Sequence, residues 1–161
     1  MSLFYAILTS VLICLAAAVL EGVCAGRNVK SFFAETRFPP YSAPLWIWSI
    51  IGGVYYLIFG FVIYRLLRLE NHSPLKYGVL ALILFMMVAN ALTNYLIFRA
   101  RDLRLSMIVG ALFPLLDTAL FGCLLALDRA AAFVLIPYLI YRMYAVWWGY
   151  ALWKANDEEA P

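Results

Sequence analysis

Five long runs of apolar residues, separated by short clusters of charge, dominate the pattern of this 161-residue chain. The runs cover residues 3–25, 45–67, 75–98, 103–127 and 130–153. Each run reaches the roughly 20 apolar residues that a helix needs to cross a bilayer core. None of them alternates polar with apolar positions, as the strands of a lipid-facing barrel do. The pattern therefore predicts an all-α membrane protein: a five-transmembrane-helix bundle in a single domain over residues 1–161, with a charged tail at 154–161.

The composition indicates that lipid is the solvent for most of the surface. Hydrophobic residues make up 66% of the chain and charged residues 13%, against about 45–50% and about 25% in soluble domains. The net charge of +3 is small and lies at the ends of the runs, so no nucleic-acid partner is expected. The first run is longer than the apolar region of a signal peptide and follows no basic segment, so we expect it to remain as a helix of the mature protein.

The basic residues predict the orientation of the helices. The side that holds the first loop, the third loop and the C-terminus carries Arg27, Lys30, Arg37, Arg99, Arg101, Arg104 and Lys154. The opposite side carries Arg65, Arg68, Lys76 and Arg129. The side that is richer in Lys and Arg usually faces the cytoplasm. We therefore predict a cytoplasmic C-terminus. The plasma membrane of a prokaryote is the favoured location, and an organelle membrane is the alternative.

Two opposite charges lie deep inside the fourth and fifth runs. Counted from the short turn that joins these runs, Asp117 and Arg142 differ in depth by about one or two residues of helix rise. A charge at the bilayer centre costs about 2.5–3.5 kcal/mol on insertion scales, so such residues normally face the interior of a bundle. We predict a buried Asp117–Arg142 ion pair. It either belongs to a ligand site or only holds the two helices together.

Further polar and aromatic positions share faces of the runs. Asn90 and Asn94 are one turn apart on the third run, and Tyr138, Tyr141 and Ala145 form a stripe on the fifth. Both sets predict the lining of a pocket that suits a flat, polar-edged aromatic ligand. Interhelical hydrogen bonds and simple packing are the alternatives.

The sequence carries no catalytic or metal-binding pattern. Cys14, Cys24 and Cys123 lack the spacing of metal ligands or of a disulfide framework, and His72 stands alone in the second loop. No nucleophile, base and orienting group occur at motif spacing, and no glycine-rich phosphate loop is present. We expect a protein that is not an enzyme and that has neither a metal nor a cofactor.

The first loop, residues 27–44, is long for a connection within a bundle. It carries Phe32, Phe33, Phe38 and Tyr41 together with prolines at 39, 40 and 44. Proline stiffens the backbone, and the aromatic side chains need an apolar surface on which to pack. We expect the loop to fold over one end of the bundle as a lid. The alternative is a loop that lies in the headgroup region.

Two segments of the chain match the pattern of a known family without a gap. The first contains Phe32-Phe33-Ala34, Pro39, Tyr41, Pro44, Trp46-Ile47-Trp48, Tyr56 and Gly60. The second contains Pro137-Tyr138-Leu139, Tyr141, Tyr144-Ala145, Tyr150, Trp153-Lys154 and Asn156. Between them, residues 89–93 resemble an ALNxLW pattern of the third span. Through these segments the chain resembles the TspO/MBR family, which comprises tryptophan-rich sensory proteins and the translocator protein, also called the peripheral benzodiazepine receptor.

The resemblance implies a membrane receptor or transporter that binds porphyrins such as protoporphyrin IX, sterols and benzodiazepine-type ligands under the first loop. Members are commonly homodimers, so a homodimer is implied here too. At the matching positions the implied lining is Phe33, Pro44, Trp48, Tyr56, Asn90, Thr93, Tyr141 and Ala145. The tyrosine stripe described above adds Tyr138.

The sequence departs from the family where members carry larger residues. Gly52, Thr93 and Tyr141 replace tryptophans, and Gly149 replaces an asparagine. Tryptophans at the first and third of these positions are tied to light-dependent porphyrin breakdown in some bacterial members, so their loss puts that activity in doubt. An enzyme for light-dependent porphyrin degradation and a small regulatory stress-response subunit are the alternatives to a receptor or transporter.

Overall fold

The computed structural model describes residues 2–70 and 72–157. Within these ranges the chain forms α1 (Leu3–Ala25), α2 (Val29–Glu35), α3 (Leu45–Arg68), α4 (Pro74–Tyr95), α5 (Leu103–Leu127) and α6 (Arg129–Asn156). A π-helical turn, Leu96–Ala100, extends α4. All of these helices except α2 are long and apolar enough to cross a membrane. The five predicted spans are therefore present in the described residues.

Side chains and glycine define the helix ends. The carboxylate of Asp102 accepts from the backbone N–H of Leu105 at 2.8 Å, which caps the start of α5. Helix α1 is followed by Gly26, where φ is +67°. This conformation favours glycine. A Cβ atom at Gly26 would lie 3.2 Å from the side chain of Arg99. The close approach keeps the end of α1 against the end of α4.

The five spanning helices form a closed ring. Neighbouring helices meet in the order α1, α3, α6, α5, α4 and back to α1. The turn at Asp128 makes α5 and α6 antiparallel neighbours, and these two helices share the most extensive contact in the bundle. A ring of five helices leaves an interior that side chains must fill or leave open.

Side chains fill the interior at the end near the α5–α6 turn. We call this region the packed half; its fully buried members include Phe59, Val62, Leu66, Ile83, Leu120, Leu124, Ala131, Ala132 and Leu135. Two of these residues on α6, Ala131 and Ala132, are small, and small residues allow helices in a membrane bundle to approach closely.

An ion pair closes the packed half at its end. Arg65 Nε lies 2.7 Å from Asp128 Oδ2, and Asp128 also caps α6 by accepting from the backbone N–H of Ala131 at 3.2 Å. Burial alone would raise the pKa of Asp128, but the hydrogen bond from Arg65 and those from the first amides of α6 outweigh it, so the pKa lies below its ordinary value. Asp128 therefore ties α3 to the α5–α6 turn as a carboxylate.

Two helices contain an internal proline, Pro114 in α5 and Pro137 in α6. Proline has no N–H, so each one removes a hydrogen bond from its helix. The hydroxyl of Thr118 donates to the carbonyl of Pro114 at 2.7 Å, so this carbonyl has a side-chain hydrogen-bond partner.

The structure corrects the sequence-based prediction in three places. The first loop is not loop throughout, because Val29–Glu35 forms α2. The third span does not stop at residue 98, since the π-helical turn continues to Ala100. The predicted tail begins inside α6, which extends to Asn156, and residues 158–161 of that tail lie outside the described residues.

Candidate functional site

A cavity of about 320 Å³ lies inside the ring at the end opposite the packed half. We call this region the hollow half: the C-terminal parts of α1, α4 and α6, the N-terminal parts of α3 and α5, and α2. Every one of these elements contributes to the cavity wall. Its volume falls at the lower end of the roughly 300–1,000 Å³ typical of small-molecule sites.

Aromatic rings form one wall of the cavity. The ring centroids of Trp48 and Tyr141 are 6.3 Å apart at an interplanar angle of 75°, and those of Trp48 and Trp148 are 4.7 Å apart. All three residues line the cavity. Such a wall offers flat, polarisable faces to a ligand with rings of its own.

Helix α2 contributes Val29 and Phe33 to the cavity wall. The neighbouring Phe32 is buried, with its ring centroid 5.2 Å from that of Phe98. The segment after α2 is held to α6, because the hydroxyl of Tyr144 donates to the carbonyl of Tyr41 at 3.1 Å. Farther along α6, Asn156 Nδ2 donates to the carbonyl of Arg37 at 2.8 Å.

The cavity floor contains the pair of Arg142 and Asp117. Arg142 Nε donates to Asp117 Oδ2 at 3.1 Å, and both side chains are buried. Arg142 also donates to the hydroxyl of Tyr138, and its guanidinium lies 4.3 Å from the ring centroid of Phe113. Arg142 lines the cavity and Asp117 lies behind it. The guanidinium is thus neutralised from the side away from the cavity.

A second polar group stands on the α1 side. Glu21 Oε1 accepts from Asn90 Nδ2 at 2.6 Å, and both residues line the cavity. The Tyr56 hydroxyl is buried beside Glu21. Nothing in residues 2–70 and 72–157 groups three or more His, Cys, Asp or Glu side chains as a metal site would need.

A comparison with known protein families identifies the family of this chain. The sequence profile of the TspO/MBR family matches residues 10–154, which is most of the chain. The chain belongs to the TspO/MBR family. No protein with a curated description matches the chain. Together with the five apolar helices, the family makes this an integral multi-pass membrane protein and supports a ligand-binding or transport role.

Most of the lining expected from the TspO/MBR pattern meets at this cavity. The residues that line it are Phe33, Trp48, Asn90, Thr93, Tyr138, Tyr141 and Ala145. The remaining two lie elsewhere. Pro44 is exposed at the start of α3, where its carbonyl accepts from the backbone N–H of Ile47. Tyr56 faces α1 instead of the cavity, because successive helical residues point about 100° apart and its neighbour Tyr55 takes the inward position.

Sequence reasoning missed several members of the wall that the TspO/MBR pattern does not mark. Glu21 was recognisable as a charge within a span, but its partner was not predictable from one helix alone. Gly110 and Ser106 on α5 and Ile97 in the π-helical turn also line the cavity. Small and aliphatic residues do not stand out in a span that is apolar throughout, so the sequence does not mark them as cavity-lining residues.

Proposed function

We propose that this protein is a membrane receptor or transporter that binds porphyrins or related flat hydrophobic ligands, sterols included, in the hollow half. The observation that supports this most is the cavity itself. It is bounded by α2 and all five spanning helices, and aromatic rings form one of its walls. In the TspO/MBR family, a mostly apolar cavity with a few convergent polar groups is the natural place for such a ligand.

The same proposal makes α2 and the segment up to residue 44 a lid. The contacts of Tyr144 with Tyr41 and of Asn156 with Arg37 are hydrogen bonds at the surface. Five hydrogen bonds to α6, one exposed ion pair and one aromatic cluster hold this segment. Its opening would break these contacts without separating two spanning helices. Movement of the segment would admit a ligand that is too large to pass through the closed end.

Binding and transport are proposed in preference to catalysis. Gly52 and Tyr141 stand where the family tryptophans tied to light-dependent porphyrin breakdown would be, and both line the cavity. We also propose a homodimer with its C-termini in the cytoplasm. Of the residues in α1, only Ala6, Ser10 and Ala17 are buried, so most of the surface of this helix is available to a second copy.

The neighbouring glycines of α3 provide a matched test. Gly52 lines the cavity and Gly53 is exposed on the outer surface, and a Cβ at either position meets nothing within 4 Å. Gly52→Trp should fill the cavity and weaken protoporphyrin IX binding by at least about tenfold, an energetic cost of about 1.4 kcal/mol. Gly53→Trp should leave binding unchanged. Binding is measured by quenching of intrinsic fluorescence in detergent. Equal affinities for both variants would contradict a site in the hollow half.

A further inference from the structure

Arg142 has more hydrogen-bond donors than its neighbours use. A guanidinium carries five N–H groups and accepts no hydrogen bond. Within residues 2–70 and 72–157, Arg142 donates through Nε to Asp117 at 3.1 Å and through Nη2 to the hydroxyl of Tyr138. The rest of the planar fork, including both N–H groups on Nη1, remains able to donate to another acceptor.

The guanidinium is fixed in position and borders the cavity. Arg142 is only 8% exposed, and it lines the cavity, whereas Asp117 does not. The guanidinium carbon also lies 4.3 Å from the ring centroid of Phe113. Contacts with Asp117, Tyr138 and Phe113 orient the group before any ligand arrives, so binding to it costs little conformational entropy.

Asp117 balances the charge of Arg142 without occupying the whole fork. The contact between them runs through Nε and a single carboxylate oxygen. An acidic group in the cavity would therefore contact the unused N–H groups, and the guanidinium would lie between two carboxylates. Glu21, an acidic side chain of the same wall, is held by Asn90 at 2.6 Å, and its helix α1 is not next to α6 in the ring.

We propose that Arg142 binds a carboxylate of the ligand, so that the cavity prefers flat hydrophobic acids, such as porphyrins with acidic side chains, to neutral molecules such as sterols. A guanidinium fork matches the two oxygens of a carboxylate, and hydrogen bonds between charged partners are about twice as strong as neutral ones. A carboxylate within a membrane span needs such a partner. This inference rests on the proposed function, since it takes the hollow half as the binding site, and it narrows the class of ligand.

The aromatic wall lies beside this anchor. Tyr141 directly precedes Arg142 on α6, and its ring centroid is 6.3 Å from that of Trp48. Both rings line the same cavity as Arg142. A flat acid would thus place its ring system against the aromatic wall and its acidic side chain against the guanidinium.

The test compares protoporphyrin IX with its dimethyl ester. The two molecules share one ring system, but the ester lacks the negative charges of the propionate groups. Both are titrated by quenching of intrinsic fluorescence in non-ionic detergent at about pH 8, where a propionate group is ionised. Free tryptophan in protein-free micelles is the blank. The quantity compared is the ratio of the two dissociation constants, and the wild type should prefer the acid by about 10- to 100-fold, as expected for a charged hydrogen bond.

Two variants of the buried pair should shift this ratio in different directions. Asp117→Asn combined with Arg142→Gln removes both charges, so the double variant should bind acid and ester with nearly equal affinity. Asp117→Asn alone keeps the guanidinium and removes the charge that balances it, so it should increase the preference for the acid. A pair that only holds α5 and α6 together would not produce these opposite shifts.

Lys154→Gln is the matched control, because Lys154 is an exposed cation on the same helix as Arg142. It should keep the wild-type ratio, and loss of the preference in this variant would place the carboxylate at the surface and overturn the inference. A double variant that still prefers the acid, or an Asp117→Asn variant without an increased preference, overturns it as well. Wild-type binding of both porphyrins with equal affinity rejects this inference alone, whereas failure of both to bind rejects the proposed porphyrin site and this inference with it.

Discussion

The packed half and the hollow half are made from the same helices, yet they use them differently. Near the α5–α6 turn, the side chains of Phe59, Leu120 and Leu135 are fully buried. At the other end, Gly52 and Gly110 face the interior and a cavity remains. The polar side chains of Glu21, Asn90 and Arg142 border the cavity. One end of the bundle is packed with side chains, and the other keeps a cavity in which we propose that a ligand binds.

The largest expected effect comes from the ion pair at the border of the two halves. Arg142→Gln leaves the Asp117 carboxylate buried without its cation, which typically costs about 3–5 kcal/mol. The temperature at which the protein loses its folded state in detergent should fall sharply. Asp117→Asn combined with Arg142→Gln should recover most of the loss. A double variant as unstable as the single one would show that the two charges do not stabilise each other.

A leucine pair on α5 tests whether the packed half carries the stability. Leu124 is 0% exposed and its neighbour Leu125 is 40% exposed. Leu124→Ala should cost about 2–5 kcal/mol, because it removes packing contacts that helices in lipid depend on. Leu125→Ala should have little effect. Neither variant should alter ligand affinity, since neither residue borders the cavity. If Leu124→Ala lost ligand affinity without losing stability, the packed half would not be the part of the bundle that carries stability.

The sequence alone predicts the structure of the two halves to different extents. The five spans follow from run length, and the meeting of Asp117 with Arg142 follows from their similar depth beside a short turn. Helix α2 was missed, because seven residues between two spans carry too weak a periodic signal. The position of Tyr56 was also missed: a one-residue shift turns a side chain by about 100°, which is finer than span boundaries resolve. Which apolar residues leave a void depends on contacts among five helices at once, and no single span records them.

Acidification should lower the stability of the packed half by protonating Asp128. Because its pKa is lowered in the folded protein, its contribution to stability is complete above the unfolded-state pKa of about 3.9 and is lost as the pH falls through the folded value. Asp128→Asn retains a cap for α6 but loses the charge that pairs with Arg65, so we expect a cost of about 1 kcal/mol at neutral pH. The variant should also lose less stability on acidification below pH 4 than the wild type does. Identical acid profiles would contradict a charged Asp128.

The smallest effect belongs to the surface contact that borders the hollow half. Arg101 Nη1 lies 2.9 Å from Glu35 Oε2, and both side chains are exposed. Pairs of this kind contribute roughly 0–1 kcal/mol. Glu35→Gln should therefore leave thermal stability nearly unchanged while it raises the dissociation rate of a bound ligand slightly, about twofold. A rate unaffected at both low and high salt would indicate that this contact does not help to hold α2 over the cavity.

Pro114 has a consequence for recognition that goes beyond helix shape. A residue with no N–H at position 114 leaves the carbonyl of Gly110 without its usual partner one turn later in the helix, and Gly110 lies in the cavity wall. The main chain itself thus keeps an acceptor without a helical partner in the cavity wall. Substituting the side chains around the cavity would leave this acceptor in place for as long as proline stays at position 114.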